Sequence, residues 1–118
     1  MNEAALTRHI QVALTGKHSR MWRNNCGVLI DSRGQRVTYG LCPGSSDLIG
    51  LRALTITPEM VGETVAVFVA VEVKRPDFRG KVPEHQQQFI TTVRELGGRA
   101  GFATSVSEAA AILAGGAP

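Results

Sequence analysis

The stretch from Val65 to Val73 is almost wholly apolar and β-branched, and it ends in an acid and a base, Glu72-Val73-Lys74. Such a run predicts a central strand covered on both faces, because only strands buried on both sides dispense with polar alternation. A chain built around that strand needs helices to cover it, and patterns on either side supply them. Asn2 is placed to cap a helix whose apolar positions Leu6, Ile10, Ala13 and Leu14 form one buried stripe, running to about Gly16. A second helix is expected from Glu84 to Leu96, with Phe89, Val93 and Leu96 as its core face, ending at Gly97-Gly98. Ser105 and Glu108 have capping-box spacing for a last short helix through about Leu113, and the Gly- and Ala-rich tail beyond it is expected to fray.

The remaining strands are shorter. Met21 to Ile30 reads as one strand, and Asp31-Ser32-Arg33-Gly34 supplies the turn to a second extended piece at Arg36 to Tyr39, making a hairpin. Asp47 to Leu51 is a short apolar run after Pro43 and Gly44, and the segment with Pro58 and Gly62 reads as a connection with little regular structure. Ala100 to Ala103 completes the set. The order is α/β, with a mixed central sheet flanked by helices.

With 118 residues the chain fits a single domain, residues 1–118, and 43% hydrophobic content is enough for a packed core. No apolar run is long enough to span a bilayer, and the N-terminus has no signal-peptide pattern, so a cytoplasmic protein with no membrane partner is expected. Cys26 and Cys42 are not at zinc-finger spacing, and a reduced, structural role is expected for both. The net charge of +3 suits a polyanionic partner without requiring one.

Side chains alternate along a strand, so Glu72 and Lys74 leave the same face. Asp47 follows a glycine-containing turn at the mouth of another strand and joins them if those strands are neighbours. Two carboxylates suit a hard divalent cation such as Mg²⁺, which keeps several waters and activates one against a phosphodiester. Asp47 and Glu72 are the expected metal ligands, with the main-chain carbonyl of Val73 as a further one. Lys74 would orient the water or stabilise charge on the phosphate. An acid and a lysine two apart at a strand end, taken alone, usually mark only a solvated edge or a surface ion pair. Glu3 lies on the side of the first helix's apolar stripe, where it either supports the site or only stabilises the helix N-terminus. Arg75, Arg79 and Lys81 in the loop after Lys74, and Lys17, Arg20 and Arg23 near the first strand, form two basic clusters able to touch phosphates.

At these residues the sequence resembles the VRR-NUC family, the virus-type replication-repair nuclease domain of the PD-(D/E)XK superfamily. The matching pieces are Glu3, RNNCG at Arg23 to Gly27, YGLCPGSSDLIG at Tyr39 to Gly50, EVKRP at Glu72 to Pro76, and Gln86. The resemblance implies a restriction-endonuclease-like αβββαβ core, Mg²⁺ or Mn²⁺ dependence and cleavage of DNA. It implies Asp47 and Glu72 as metal ligands, Lys74 as the catalytic lysine, and Glu3 and Gln86 as supporting residues. Ser46 stands where the superfamily name has proline. Stand-alone members, phage or bacterial, look like homodimers that cut branched DNA such as four-way junctions. A catalytically silent nucleic-acid-binding module on the same fold, and an unrelated α/β protein with a fortuitous EVK strand, are the alternatives.

Overall fold

A computed structural model describes residues 1–115. The chain is a mixed α/β protein with three helices and six strands among those residues. It forms two compact units, Met1–Arg52 and the residues from Ala53 onward.

In the first unit, α1 (Glu3–Leu14) begins where expected: the Asn2 side chain accepts a hydrogen bond from the Ala5 amide at 2.8 Å. It ends two residues early. Thr15 is already extended, its hydroxyl accepts from the Met21 amide at 3.2 Å, and the Ser19 hydroxyl donates to the Leu14 carbonyl at 2.7 Å, turning the chain back. The expected Leu6–Ile10–Leu14 stripe is not the buried face. Those residues are exposed, and the buried residue of the helix is Thr7, whose hydroxyl donates to the Glu3 carbonyl at 2.9 Å. Next along that line, Gln11 donates to the Met21 carbonyl at 3.3 Å. Helix α1 thus meets its strand along Thr7 and Gln11, one residue round from the apolar line, because side-chain bonds satisfy the polar groups there.

The expected strand Met21 to Ile30 divides into β1 (Ser19–Arg23) and β2 (Gly27–Ile30). Strand β1 pairs antiparallel with β4 (Leu48–Arg52), setting Trp22 opposite Ile49, whereas β2 pairs antiparallel with β3 (Arg36–Tyr39). The predicted hairpin turn is present, with Asp31 Oδ1 accepting from the amides of Arg33 and Gln35, each at 2.9 Å. Gly50 allows β1 and β4 to close up, since a Cβ there would run into the Arg20 carbonyl.

The second unit is a parallel βαβ arrangement. Strand β5 (Val69–Val73) and strand β6 (Arg99–Ala103) pair with Glu72 opposite Phe102, and helix α2 (Glu84–Glu95) lies between them in sequence. Helix α3 (Val106–Ala114) packs on both strands. The long apolar strand is shorter than expected. Its ladder is limited by the five residues of β6, beginning with the Arg99 amide on the Phe68 carbonyl, so Val65 and Val67 lie outside any ladder and are exposed. Residues 53–68 carry no strand, only a 3-10 turn at Pro58–Met60. The strands therefore form three two-stranded sheets among the described residues, where one mixed central sheet was expected.

The buried apolar residues Ile90, Val93, Ala100, Ala103 and Ile112 all belong to this unit. Full burial of a side chain such as Ile112 or Val93 contributes about 1.5–3 kcal/mol. Phe89, expected in the core, is 37% exposed, and Ile90 takes its place at 5%. The buried line of α2 is thus Gln86, Ile90, Val93, which brings Gln86 toward the strands. The Ser105 half of the expected capping box forms, the Glu108 amide donating to Ser105 Oγ at 3.1 Å, whereas the Glu108 carboxylate reaches one residue past the N-cap, to the Thr104 amide at 2.7 Å. The tail expected to fray, from residue 116 on, lies outside the described residues.

Candidate active site

The parallel ladder continues past β5 as the Lys74 amide donates to the Ala103 carbonyl at 2.9 Å, so Glu72 and Lys74 are held in strand alternation. Val73 points the other way and is 74% exposed. Gln86, in the first turn of α2, joins the two charged groups. Lys74 Nζ donates to Gln86 Oε1 at 2.8 Å, and Gln86 Nε2 donates to Glu72 Oε1 at 3.0 Å. The ammonium lies 3.5 Å from the same carboxylate oxygen.

Chemistry dictates the orientation of this amide. An ammonium can only donate and a carboxylate can only accept, so the reversed amide would lose both bonds. The Lys74 side chain is 16% exposed and that of Glu72 is 37% exposed, which places the acid at the mouth and the base behind it. The Phe78 ring, 5.2 Å from Nζ, adds a cation–π contact. Both contacts of Glu72 fall on Oε1, leaving Oε2 for a further ligand.

The loop after Lys74 carries the first basic cluster. Arg75 is paired to Asp77 at 3.6 Å with both side chains exposed, Arg79 donates to the Phe78 carbonyl at 3.1 Å, and Lys81 is exposed. A pair so open to solvent is weak and leaves the guanidinium available to an anion.

Asp47 belongs to the first unit, immediately before β4, and is exposed. Asn24 holds the loop that presents it. The Asn24 amide donates to the Asp47 carbonyl at 2.8 Å, its Oδ1 accepts from the Leu41 amide at 3.0 Å, and its Nδ2 donates to Ser45 Oγ at 2.8 Å and to the Ser46 carbonyl at 2.9 Å. Ser45 Oγ in turn donates to the Cys42 carbonyl at 2.7 Å and lies 3.1 Å from Cys26 Sγ. The Ser45 hydroxyl holds the Cys26 thiol below its ordinary value; burial opposes it, and the amides of Cys42 and Leu41 and the Asn24 side chain assist. Asn24 sits inside the RNNCG segment, but its role was not drawn from the sequence. Its signal was the two-sided chemistry of an amide at a strand end.

Glu3 stands exposed in the first turn of α1. Of the second basic cluster, Arg20 and Arg23 line a groove of about 640 Å³ together with Arg8, Gln11, Met21 and Trp22. Arg8 was not anticipated there; helical geometry sets it one turn before Gln11. Lys17 does not line the groove. Arg23 Nε also donates to Asn25 Oδ1 at 2.9 Å.

The structure thus brings Glu72, Lys74 and Gln86 together in the second unit, while Asp47 and Glu3 are carried by the first. Among the described residues, no three His, Cys, Asp or Glu side chains cluster as metal ligands, and no helix is long and apolar enough to cross a membrane.

A family model described as the VRR-NUC domain matches residues 3–107, a span that includes every one of these acids, the lysine and Gln86. No curated protein and no solved structure matches the chain.

Proposed function

Since the chain belongs to the VRR-NUC family, a family of nucleases, we propose that it is a metal-dependent endonuclease hydrolysing DNA phosphodiester bonds, with branched DNA such as four-way junctions as its substrate. The observation that carries this reading is the Lys74–Gln86–Glu72 triangle, an acid and a base fixed 3.5 Å apart by a neutral amide at the mouth of a strand end. A binding module has no use for a carboxylate facing phosphate, whereas a hydrolase needs both signs of charge at one place.

The donor set fits Mg²⁺ or Mn²⁺. Mg²⁺ takes one or two carboxylates and keeps several waters, so it does not require three acidic side chains in one cluster. Asp47, Glu72 and the Val73 carbonyl would hold it, all hard oxygen donors with no thiol or imidazole among them. When bound, the cation neutralises charge on the phosphate and lowers the pKa of a water. Lys74 has three N–H donors, of which one is given to Gln86, and those left serve the attacking water or the phosphate oxygen while the ammonium stays ion-paired to Glu72. Gln86 keeps the lysine extended toward the acid, and Glu3 supports the site from α1. Arg23, Arg75, Arg79 and Lys81 contact the DNA backbone.

The order of elements is compatible with a restriction-endonuclease-like αβββαβ core. In that reading the enzyme acts as a homodimer, because a two-fold pair offers two active sites to the two strands of a junction. Its setting is the cytoplasm of a bacterium, or of the bacterial host of a phage, in replication, repair or recombination.

The test is incubation with a labelled four-way junction with and without Mg²⁺ or Mn²⁺, beside the Asp47→Asn and Lys74→Ala variants. Metal-dependent cutting lost in both variants supports the proposal. Binding without metal-dependent cutting would favour a silent nucleic-acid-binding module, and no binding would remove the four-way junction as the substrate.

A further inference from the structure

The two cysteines share one serine. Cys26 Sγ lies 3.1 Å from Ser45 Oγ, and that hydroxyl also donates to the Cys42 carbonyl at 2.7 Å and lies 3.4 Å from the Cys42 amide. Both cysteines line the same hollow of about 340 Å³ between the β2–β3 hairpin and the turn at Pro43 and Gly44. Cys42 is exposed and Cys26 half-buried. At Gly40, with φ of 87°, the chain folds back so closely over Cys26 that a Cβ would meet its sulfur. The fold thus sets residue 42 beside the Cys26 thiol, one serine hydroxyl touching the sulfur of one cysteine and the main chain of the other, and a disulfide forms where side-chain rotation brings the two sulfurs together.

We propose that Cys26 and Cys42 are a peroxide-responsive pair that closes an intramolecular disulfide across the loop leading to Asp47. The Cys26 thiolate attacks one oxygen of hydrogen peroxide; the S–O bond forms, the O–O bond breaks, and hydroxide leaves to be protonated to water. The Cys42 thiol, losing its proton, then attacks the sulfenic sulfur, forming the S–S bond and expelling the hydroxyl as a second water. Two thiols give up two electrons and one peroxide accepts them.

Ser45 supports the first step. It has one proton, which goes to the Cys42 carbonyl while Cys26 is a thiol and turns to the sulfur once it is a thiolate. The same residue is fastened to Asn24, which also holds the Asp47 carbonyl, so a bond formed here pulls on the segment that presents Asp47. This last link rests on the nuclease reading; the disulfide itself does not.

The full chain, treated with hydrogen peroxide, alkylated and digested, should yield a peptide pair joined through Cys26 and Cys42, with the intact monomer lighter by two hydrogens. Cys42→Ser should stop at a sulfenic acid on Cys26 that a dimedone probe captures, and Cys26→Ser should abolish both products. Ser45→Ala should slow the reaction roughly three- to tenfold by lowering the thiolate fraction. Sulfenic acid absent from Cys26 in the Cys42→Ser chain, or a disulfide joining only separate chains, overturns the proposal. If the disulfide forms and junction cutting falls and returns with dithiothreitol, the link to Asp47 stands; if cutting is unchanged by the disulfide, that link is wrong. A protein that never cuts DNA but forms the bond counts against the nuclease reading alone.

Discussion

Lys74 donates to Gln86 at 2.8 Å across the gap between a strand end and the first turn of the following helix, and the same glutamine donates onward to Glu72. The residue between acid and base is therefore a bridge with no charge of its own. Gln86→Ala should leave both charged groups in place but unheld, lowering the cutting rate about ten- to a hundredfold, equivalent to roughly 1.4–2.7 kcal/mol of barrier. DNA affinity measured in Ca²⁺ should be unchanged. A loss of affinity equal to the loss of rate would make Gln86 a binding residue instead.

Asn24 leads to a prediction of stability as well as activity. Three hydrogen bonds from its side chain tie Leu41, Ser45 and Ser46 into one loop. Each such bond is worth about 1 kcal/mol net. Asn24→Ala should lower the unfolding free energy by about 1–3 kcal/mol in urea titrations and reduce cutting through displacement of Asp47. Asn24→Asp keeps the acceptor for Leu41 but loses the donors, so it should fall between wild type and alanine in stability. Equal stability of all three proteins would show that the loop is held by something else.

The core tells how far periodicity can be read. Apolar spacing in α2 favours Phe89, Val93, Leu96 as the inner line, but Ile90 and Val93 are the buried pair. Adjacent lines on a helix differ by one residue, and both carry apolar side chains here; the choice is set by how α2 lies on β5 and β6, which spacing along one helix does not encode. Ile90→Ala should therefore cost about 2–5 kcal/mol, and Phe89→Ala distinctly less, by chemical denaturation. The reverse order would restore the line suggested by the sequence.

Legibility in the sequence followed the range of the interaction. The Asn2 cap, the Asp31 turn and the Ser105 cap of α3 are contacts within five residues, and each forms as its spacing implies. The Glu72–Lys74 pairing was equally readable, because alternation along one strand is local. What required the fold was long-range: the break of the first strand at Asn24, set by bonds to residues 41–47; the shortening of the apolar strand, set by the length of β6; and Arg8 beside Arg20, set by how α1 lies on β1. Gln86 lies between. Its place on the helix was legible, but its contact with Lys74 depends on which line of α2 turns inward.

The groove lined by Arg8, Arg20 and Arg23 gives a salt-dependent prediction. No acidic side chain lines it, so a DNA backbone lying there would release counterions at each guanidinium it meets. In the Asp47→Asn background, expected to be inactive, Arg20→Ala should weaken binding uniformly across sequences and reduce the slope of log affinity against log salt by about 1. An unaltered slope would remove the groove from the DNA path.

Glu108 supplies the pH dependence. Its carboxylate accepts from the amide and the hydroxyl of Thr104, and those bonds, the hydroxyl first, hold its pKa below the ordinary value. A carboxylate with a depressed folded pKa releases its proton more readily when folded, so its contribution is complete above the unfolded value of about 4.3 and disappears as pH falls through the lower folded value. Thermal melts should therefore show wild type losing stability on acidification within that window, with Glu108→Gln less stable at neutral pH and flatter across it. Because the side chain is solvent-exposed the difference should be small, and high salt should shrink it further. Parallel pH profiles of the two proteins would mean that α3 is capped through Ser105 alone.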